Sequence, residues 1–320
     1  MRSPPPLTEY IAFPVTSGIA LLAIAVTAFD KLGHRSIEPL VMSSAAFQRE
    51  PWRLFTSALP HGDLLHIAFN VYWLWVFGTL IEEVLGGIRM LGLVVLLACG
   101  SAAAEYALFS GGIGLSGVGY GLFGMLWVLS RKDKRFREGV DDRTVQLFVL
   151  WFFLCIGATI TKVYMVANVA HGVGALLGIL TGAAIAFQGS KRALFGIATA
   201  SVTALSMACG SVLRPYVNIS SSGGIDSAIM GYEALQEGRN QDALQHYKRA
   251  IEINDKQASY WFNRGIAHER LNQMDEAFKS FEKAEALKAK QNRAKGDDAN
   301  MNGDGIMDGG SLDGGADAGQ

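Results

Sequence analysis

Long apolar stretches occupy the first two thirds of the chain, at about 11–29, 64–85, 89–109, 115–130, 145–161, 167–187 and 193–213. Most approach the roughly 20 apolar residues that carry an α-helix across a bilayer. The pattern predicts an all-α, polytopic membrane helix bundle followed by a small soluble α-helical domain. The expected division is a membrane domain over 1–214 with its seventh span at 193–213, then a linker at 215–225. Amphipathic helices follow at 226–290, and a disordered Gly/Asp-rich tail at 291–320. The first stretch has an alternative reading as a signal peptide, because Ala23-Ile24-Ala25 mimics a cleavage site. The six further spans behind it favour a membrane span.

The fourth stretch is short. Ser110-Gly111-Gly112-Ile113-Gly114 reads as loop, so the helix is expected from Ser116 to Ser130. Those fifteen residues, at about 1.5 Å each, make about 22 Å against a core of roughly 30 Å. Its start is therefore expected below the membrane surface, where irregular backbone survives only inside protein or beside a water-filled cavity.

Charge sets the orientation. Arg131, Lys132, Lys134, Arg135, Arg137 and Arg143 between spans four and five, Lys191 and Arg192 after span six, Arg2 and Arg89 share one side. Lys31, Arg35, Arg49, Arg53 and Lys162 lie on the other. The positive-inside rule then puts the N-terminus in the cytoplasm and, through the seventh span, the C-terminal part outside. Residues 1–215 hold 16 Lys+Arg and 12 Asp+Glu, and residues 216–320 hold 12 and 17. A whole-chain net charge of -1 gives no support for a nucleic-acid partner. Cys99, Cys155 and Cys209 all lie in apolar segments and read as small buried hydrophobes, not as a disulfide framework.

Three groups carry candidate chemistry. Gly114-Leu115-Ser116-Gly117 opens span four, and Gly117, Gly121 and Gly124 give that helix one smooth face. In isolation such a run also serves helix packing. In span six Ala170-His171 is followed by Gly174 and Gly178, so two glycine faces allow two helices to approach closely. Ser116 and His171 then sit at similar depth. An ionisable residue inside a span is a functional candidate because burying it is costly, and His171 as a base needs a hydroxyl within hydrogen-bond reach. In span two His66 and Asn70 are i, i+4 and share a face. Both can donate to a developing oxyanion, as can the backbone amides at Leu115 and Ser116. Asp63 lies near the outer surface and Glu82 and Glu83 at the cytoplasmic end, so no acid is expected to orient His171 and a Ser–His dyad is the simplest fit. This chemistry needs no cofactor.

These residues resemble the rhomboid family of intramembrane serine proteases over about residues 11–187. The resemblance rests on Trp52-Arg53, His61, His66-x-x-x-Asn70, Gly78 with Glu82 and Gly86, Gly-x-Ser-Gly at 114–117, and Ala-His-x-x-Gly-x-x-x-Gly at 170–178. It implies a six-helix core, with Ser116 as nucleophile, His171 as base and an oxyanion hole including His66 and Asn70. Tyr120 matches a family tyrosine that packs on the histidine. Single-pass transmembrane proteins, cut near the outer membrane surface, are the implied substrates. The loop 30–63 would be the lateral element and 161–167 part of the cap.

The soluble part repeats itself at a period of 34: Gly231 and Gly265, Ala243 and Ala277, Tyr247 and Phe281, Ala250 and Ala284. This resembles the tetratricopeptide repeat, with Asp255 in place of the repeat-terminal proline. A protein or peptide partner is the expected ligand. In the tail Asn300, Asn302, Asp304 and Asp308 echo the start of a calcium loop, but Ser311 stands where the bidentate Glu belongs.

The leading expectation is thus an intramembrane serine endopeptidase, multi-pass in a plasma-type (inner) membrane, in contact with lipid and carrying an extracytoplasmic docking module. The alternatives are a catalytically silent rhomboid-like protein that binds transmembrane helices, and a transporter with broken helices. The transporter reading calls for inverted repeats, which the sequence does not display.

Overall fold

The computed structural model describes Met1, residues 3–33 and residues 36–303, giving only the helical backbone for 294–303. The chain divides into two compact units, Met1–Gly223 and Gly224–Gln320.

The first unit is built on seven long helices: α1 Pro14–Gly33, α2 Leu64–Leu85, α3 Gly87–Leu108, α4 Ser116–Lys132, α5 Asp142–Ile160, α6 Asn168–Ala186 and α7 Gly189–Gly210. All except α4 are long and apolar enough to cross a membrane. The 17 residues of α4 span about 26 Å, and α4 is the central helix, with Leu122, Met125, Leu126 and Leu129 fully buried. Large apolar side chains such as Leu150, Phe153 and Leu154 of α5 and Leu194 and Ile197 of α7 are exposed on the outside. That is the surface a bundle presents to lipid, where burial of apolar side chains between helices has no special advantage.

Local chemistry sets the helix ends. Asp63 caps α2 by accepting the His66 backbone N–H at 2.8 Å. The helix stops at Gly86, whose φ of 86° suits glycine. The last turn of α2 holds the start of α1: the Glu82 carboxylate accepts the Val15 and Thr16 backbone N–H groups at 2.9 and 2.8 Å, and the Thr16 hydroxyl at 2.7 Å. Three donors satisfy a buried polar group that would otherwise be costly. Asp141 caps α5 through the Thr144 N–H at 2.9 Å and hydroxyl at 2.7 Å. The loop between α1 and α2 contains short helical turns at Glu38–Leu40, Ser44–Phe47 and Arg53–Thr56. Arg53 is buried there and bonds Glu50, the Glu38 carbonyl and the Val41 carbonyl.

The tightest packing joins α4 and α6. A Cβ added at Gly174 would strike the Gly117 carbonyl, and one at Gly178 the Gly121 carbonyl. The two helices therefore meet main chain to main chain along the glycine faces seen in the sequence. The last long helix of the unit, α7, packs on α3 and α6. Its final residue, Gly210, lies against the Ala103 carbonyl and the Phe47 ring.

Residues at opposite ends of the bundle sort as alternating helices require. Met1 pairs with Asp141 at 3.2 Å and Arg131 with Asp142 at 2.9 Å, at the end carrying the dense basic cluster. Ser116, Asp63 and the α6 start lie at the other end. The segment after α7 returns to that same end, where the Ile219 N–H donates to the Leu108 carbonyl at 3.1 Å.

The second unit comprises α8 Gly223–Gln236, α9 Asn240–Ile253, α10 Ala258–Arg270 and α11 Met274–Gly303. Its two hairpins repeat the same contact. A Cβ on Gly231 would meet the Tyr247 ring at 2.9 Å, and one on Gly265 the Phe281 ring at 2.5 Å. The turns match as well: Gly238 (φ 76°) and Asn272 (φ 58°) occupy equivalent positions, and both residue types tolerate the left-handed region. The last helix outruns the expected end of the repeats at 290, because Ala-Leu-Lys-Ala-Lys-Gln over 286–291 continues a strong helix-forming run. Asn300 and Asn302 fall on that helix, whereas Asp304 and Asp308 lie outside the described residues. Among the described residues no cluster of acidic, His or Cys side chains is arranged to hold a metal.

Candidate active site

Ser116 is the first residue of α4. Gly114 makes that start possible. Its φ is +108°, and a Cβ there would lie 2.8 Å from His66 Cε1 and 3.3 Å from His61 Cδ2. A side chain is excluded both by backbone conformation and by space. The Gly114 N–H donates to the Ser57 carbonyl at 3.2 Å, tying the approach to the loop before α2.

His171, in the first turn of α6 and only 3% exposed, places Nε2 2.8 Å from Ser116 Oγ. The glycine interlock between α4 and α6 sets that distance. Tyr120, one turn below Ser116, stacks on the imidazole with centroids 4.6 Å apart and planes 25° from parallel. The other ring nitrogen, Nδ1, is buried and among the described residues has no hydrogen-bond partner. Acceptance of a proton at Nε2 requires the tautomer protonated at Nδ1, and among the described residues no carboxylate bonds that nitrogen.

His66 and Asn70 line the same cavity as Ser116 and His171. The Gly62 N–H approaches His66 Nδ1 at 3.4 Å, which leaves Nε2 as the proton-bearing nitrogen. Asn70 donates one amide proton to the His66 carbonyl at 2.8 Å and retains a second. The Leu115 N–H is already engaged, donating to His61 Nε2 at 3.2 Å, while His61 Nδ1 bonds the Leu59 carbonyl at 2.9 Å. Of the five expected supporting and reacting side chains, all converge on one cavity. The Leu115 amide instead faces a histidine.

That cavity measures about 420 Å³ and runs between α2, α4, α5 and α6. Its wall is mainly aromatic. Phe69 of α2 stacks on Trp151 of α5 at 5.2 Å. Deeper, Phe148 packs on Trp73 at 4.8 Å and on Phe123 at 4.4 Å. At the mouth the Tyr164 hydroxyl donates to Asp63 Oδ2 at 2.7 Å, linking the 161–167 segment to the start of α2. The His66 backbone N–H, and then that hydroxyl, hold the Asp63 carboxyl below the usual carboxylate range.

Glu105 is the residue that sequence reasoning missed. It is buried on α3, and its Oε2 accepts the Ala170 N–H at 3.0 Å, immediately before His171. Orphan N–H groups at a helix start need acceptors, and a carboxylate suits the positive end of the helix dipole. The available signal was an acid near the end of an apolar span. Glu105 also lines a small cavity of about 20 Å³ behind Ser116, together with Ser57, Ser101 and Gly112. That is room for about one water molecule.

A helical membrane bundle that presents a serine and a histidine in contact at a buried cavity defines a class, and sequence comparison gives its family. The Rhomboid domain family matches residues 48–188. The chain is 32% identical over 193 residues to the rhomboid protease GlpG of Klebsiella pneumoniae, covering 57% of this chain and 67% of that protein. It is 32% identical over 177 residues to GlpG of Pectobacterium atrosepticum, covering 53% and 62%, respectively. It is 39% identical over 136 residues to GlpG of Serratia proteamaculans, covering 40% and 46%. The alignments thus span from 46% to 67% of these relatives' own length. The chain belongs to the rhomboid family. In the second unit, the TPR repeat family matches residues 231–272 and the Tetratricopeptide repeat family residues 258–291.

Proposed function

We propose that this chain is an intramembrane serine endopeptidase that cuts single-pass transmembrane proteins with a Ser116–His171 dyad. The observation that carries this reading is the 2.8 Å contact between His171 Nε2 and Ser116 Oγ at a cavity large enough for a substrate side chain.

In the proposed reaction His171 Nε2 takes the Oγ proton as Oγ attacks the scissile carbonyl carbon. The resulting oxyanion accepts hydrogen bonds from His66 Nε2–H and from the second Asn70 amide proton. Collapse breaks the C–N bond, and His171 returns the proton to the leaving amine. Water then repeats the attack on the acyl-enzyme, again through His171, and frees Ser116. The Tyr120 ring keeps the imidazole in plane without needing an acid. The aromatic cavity suits an apolar stretch of substrate entering from lipid, where a helix must unwind locally to expose a carbonyl.

In the membrane, the end bearing Arg131–Arg143 faces the cytoplasm and Ser116 lies toward the opposite surface, in a plasma-type membrane. The support is the bias of basic residues toward one end of the bundle. The repeats are proposed as an extracytoplasmic docking module for a protein or peptide. The support is an odd number of long helices before them.

The deciding experiment is cleavage of a single-pass transmembrane reporter by the purified full chain in detergent, wild type beside Ser116→Ala. Product from wild type alone is expected. Intact reporter that binds both forms, with no product, would replace the protease by a catalytically silent helix-binding protein. Equal product from both would remove Ser116 as nucleophile.

A further inference from the structure

The loop from Phe109 to Leu115, which delivers Ser116, is held from an unexpected direction. Arg214, in the one-turn helix Arg214–Val217 that follows α7, is 5% exposed although it carries a full charge. Its guanidinium carbon lies 3.5 Å from the centroid of the Tyr106 ring. One Nη donates to the Phe109 carbonyl at 2.8 Å and the other to Ser222 Oγ at 3.1 Å. Five residues on, the Ile219 N–H donates to the Leu108 carbonyl at 3.1 Å. The final carbonyls of α3, which lack partners within their own helix, are thus satisfied by the segment behind α7. A cation at a helix carboxyl end is favourable, and stacking on an aromatic face compensates its desolvation. Within the same loop, a Cβ on Gly111 (φ +99°) would lie 3.1 Å from Met42 Cβ and 3.5 Å from Tyr106, the ring on which Arg214 stacks. The loop is therefore closely packed as well as hydrogen-bonded.

We propose that Arg214 is a positioning residue for Ser116: by clamping the carboxyl end of α3 it fixes the loop that sets where Oγ stands relative to His171. This rests on the dyad reading above. Arg214 is not among the residues that line the cavity of Ser116 and His171, so its proposed effect is on the geometry of attack. A misplacement of about 1 Å costs on the order of 100-fold in rate.

The test uses the full chain in detergent and two readouts: kcat and KM on the transmembrane reporter, and the rate at which a fluorophosphonate labels Ser116. For Arg214→Ala, kcat is expected to fall about 10- to 100-fold, KM to stay within about twofold, and labelling to slow in step. Arg214→Lys keeps a cation within reach of the Phe109 carbonyl and is expected to recover part of kcat. Ile219→Pro removes the N–H donor and an exposed side chain, and Asn218 before it is already extended at φ -65°, ψ 119°, as a residue preceding proline prefers. A smaller fall in kcat is expected from it. An Arg214→Ala protein that stays folded with kcat within about twofold of wild type overturns the proposal, as does a loss confined to KM. Should Arg214→Ala not fold, unchanged kcat and labelling in both Arg214→Lys and Ile219→Pro overturn it. Wild type that neither labels nor cuts would instead bring down the dyad reading, and this inference with it.

Discussion

At the scale of single residues, the site separates what spacing reveals from what only contact reveals. Ser116 and His171 were legible because each begins a glycine-faced helix at the same depth, and His66 with Asn70 because i, i+4 residues share a face. Glu105 was not legible, because a lone acid in an apolar run does not say which neighbouring helix start it will cap. Nor was the His61–Leu115 bond, which joins residues 54 apart. These contacts give separable expectations. Asn70→Ala is expected to lower kcat about 10- to 1000-fold through a lost oxyanion donor, with little change in melting temperature by scanning fluorimetry. Glu105→Gln keeps an oxygen for the Ala170 N–H. Glu105→Ala leaves that N–H unsatisfied and is expected to cost about 1–3 kcal/mol, read as a lower melting temperature than Glu105→Gln. Equal melting of the two variants would refute the capping role.

At the scale of elements, the hydrophobic pattern located the helices, and local chemistry shifted their ends. The fifth apolar run begins at 145, yet α5 begins at Asp142, because Asp141 supplies a cap that hydropathy does not register. Hydrogen bonds from the Thr144 side chain, then its backbone N–H, push the Asp141 carboxyl from 3.8 down to about 2. A depressed carboxylate stabilises the fold above its unfolded value and loses that contribution as pH falls through the folded one. The α5 cap is therefore expected to be intact at pH 5 and above, and to weaken only between about pH 4 and 2. An NMR titration of the Asp141 carboxyl would check it, and a midpoint near 4 would contradict it. The α4–α6 contact is a second element-level device. Gly178→Val would force main chains apart and is expected to abolish folding and activity together. Gly172→Ala, where the nearest atom to a Cβ is 3.8 Å away in Phe152, is expected to be tolerated. Comparable melting temperatures for the two variants would contradict the interlock.

At the scale of the whole molecule, the two units obey different solvents. The first exposes apolar side chains on its outer helices, and the second buries Tyr247 and small alanines while exposing charge. The change of composition near residue 215 made that division visible in the sequence, and the seventh apolar run placed the segment after α7 at the Ser116 end, whereas its contact with the carboxyl end of α3 came from packing alone. On the proposed topology, in which α4 counts as a seventh span, a cysteine placed at exposed Lys256 is expected to react with a membrane-impermeant maleimide in intact cells. Reaction only after the cells are opened would reverse the proposed side of the repeats.

The main-chain contact between α4 and α6 has a consequence for life in a variable membrane. Bilayers differ in thickness and lipid composition, and helices that face lipid respond by tilting. Ser116 and His171 ride on two helices that touch through carbonyl oxygens and missing side chains, so their separation is set by that contact rather than by the helices that face lipid. The proposed reacting pair is thereby insulated from the solvent in which the protein dissolves, and the outer helices are free to adapt to it.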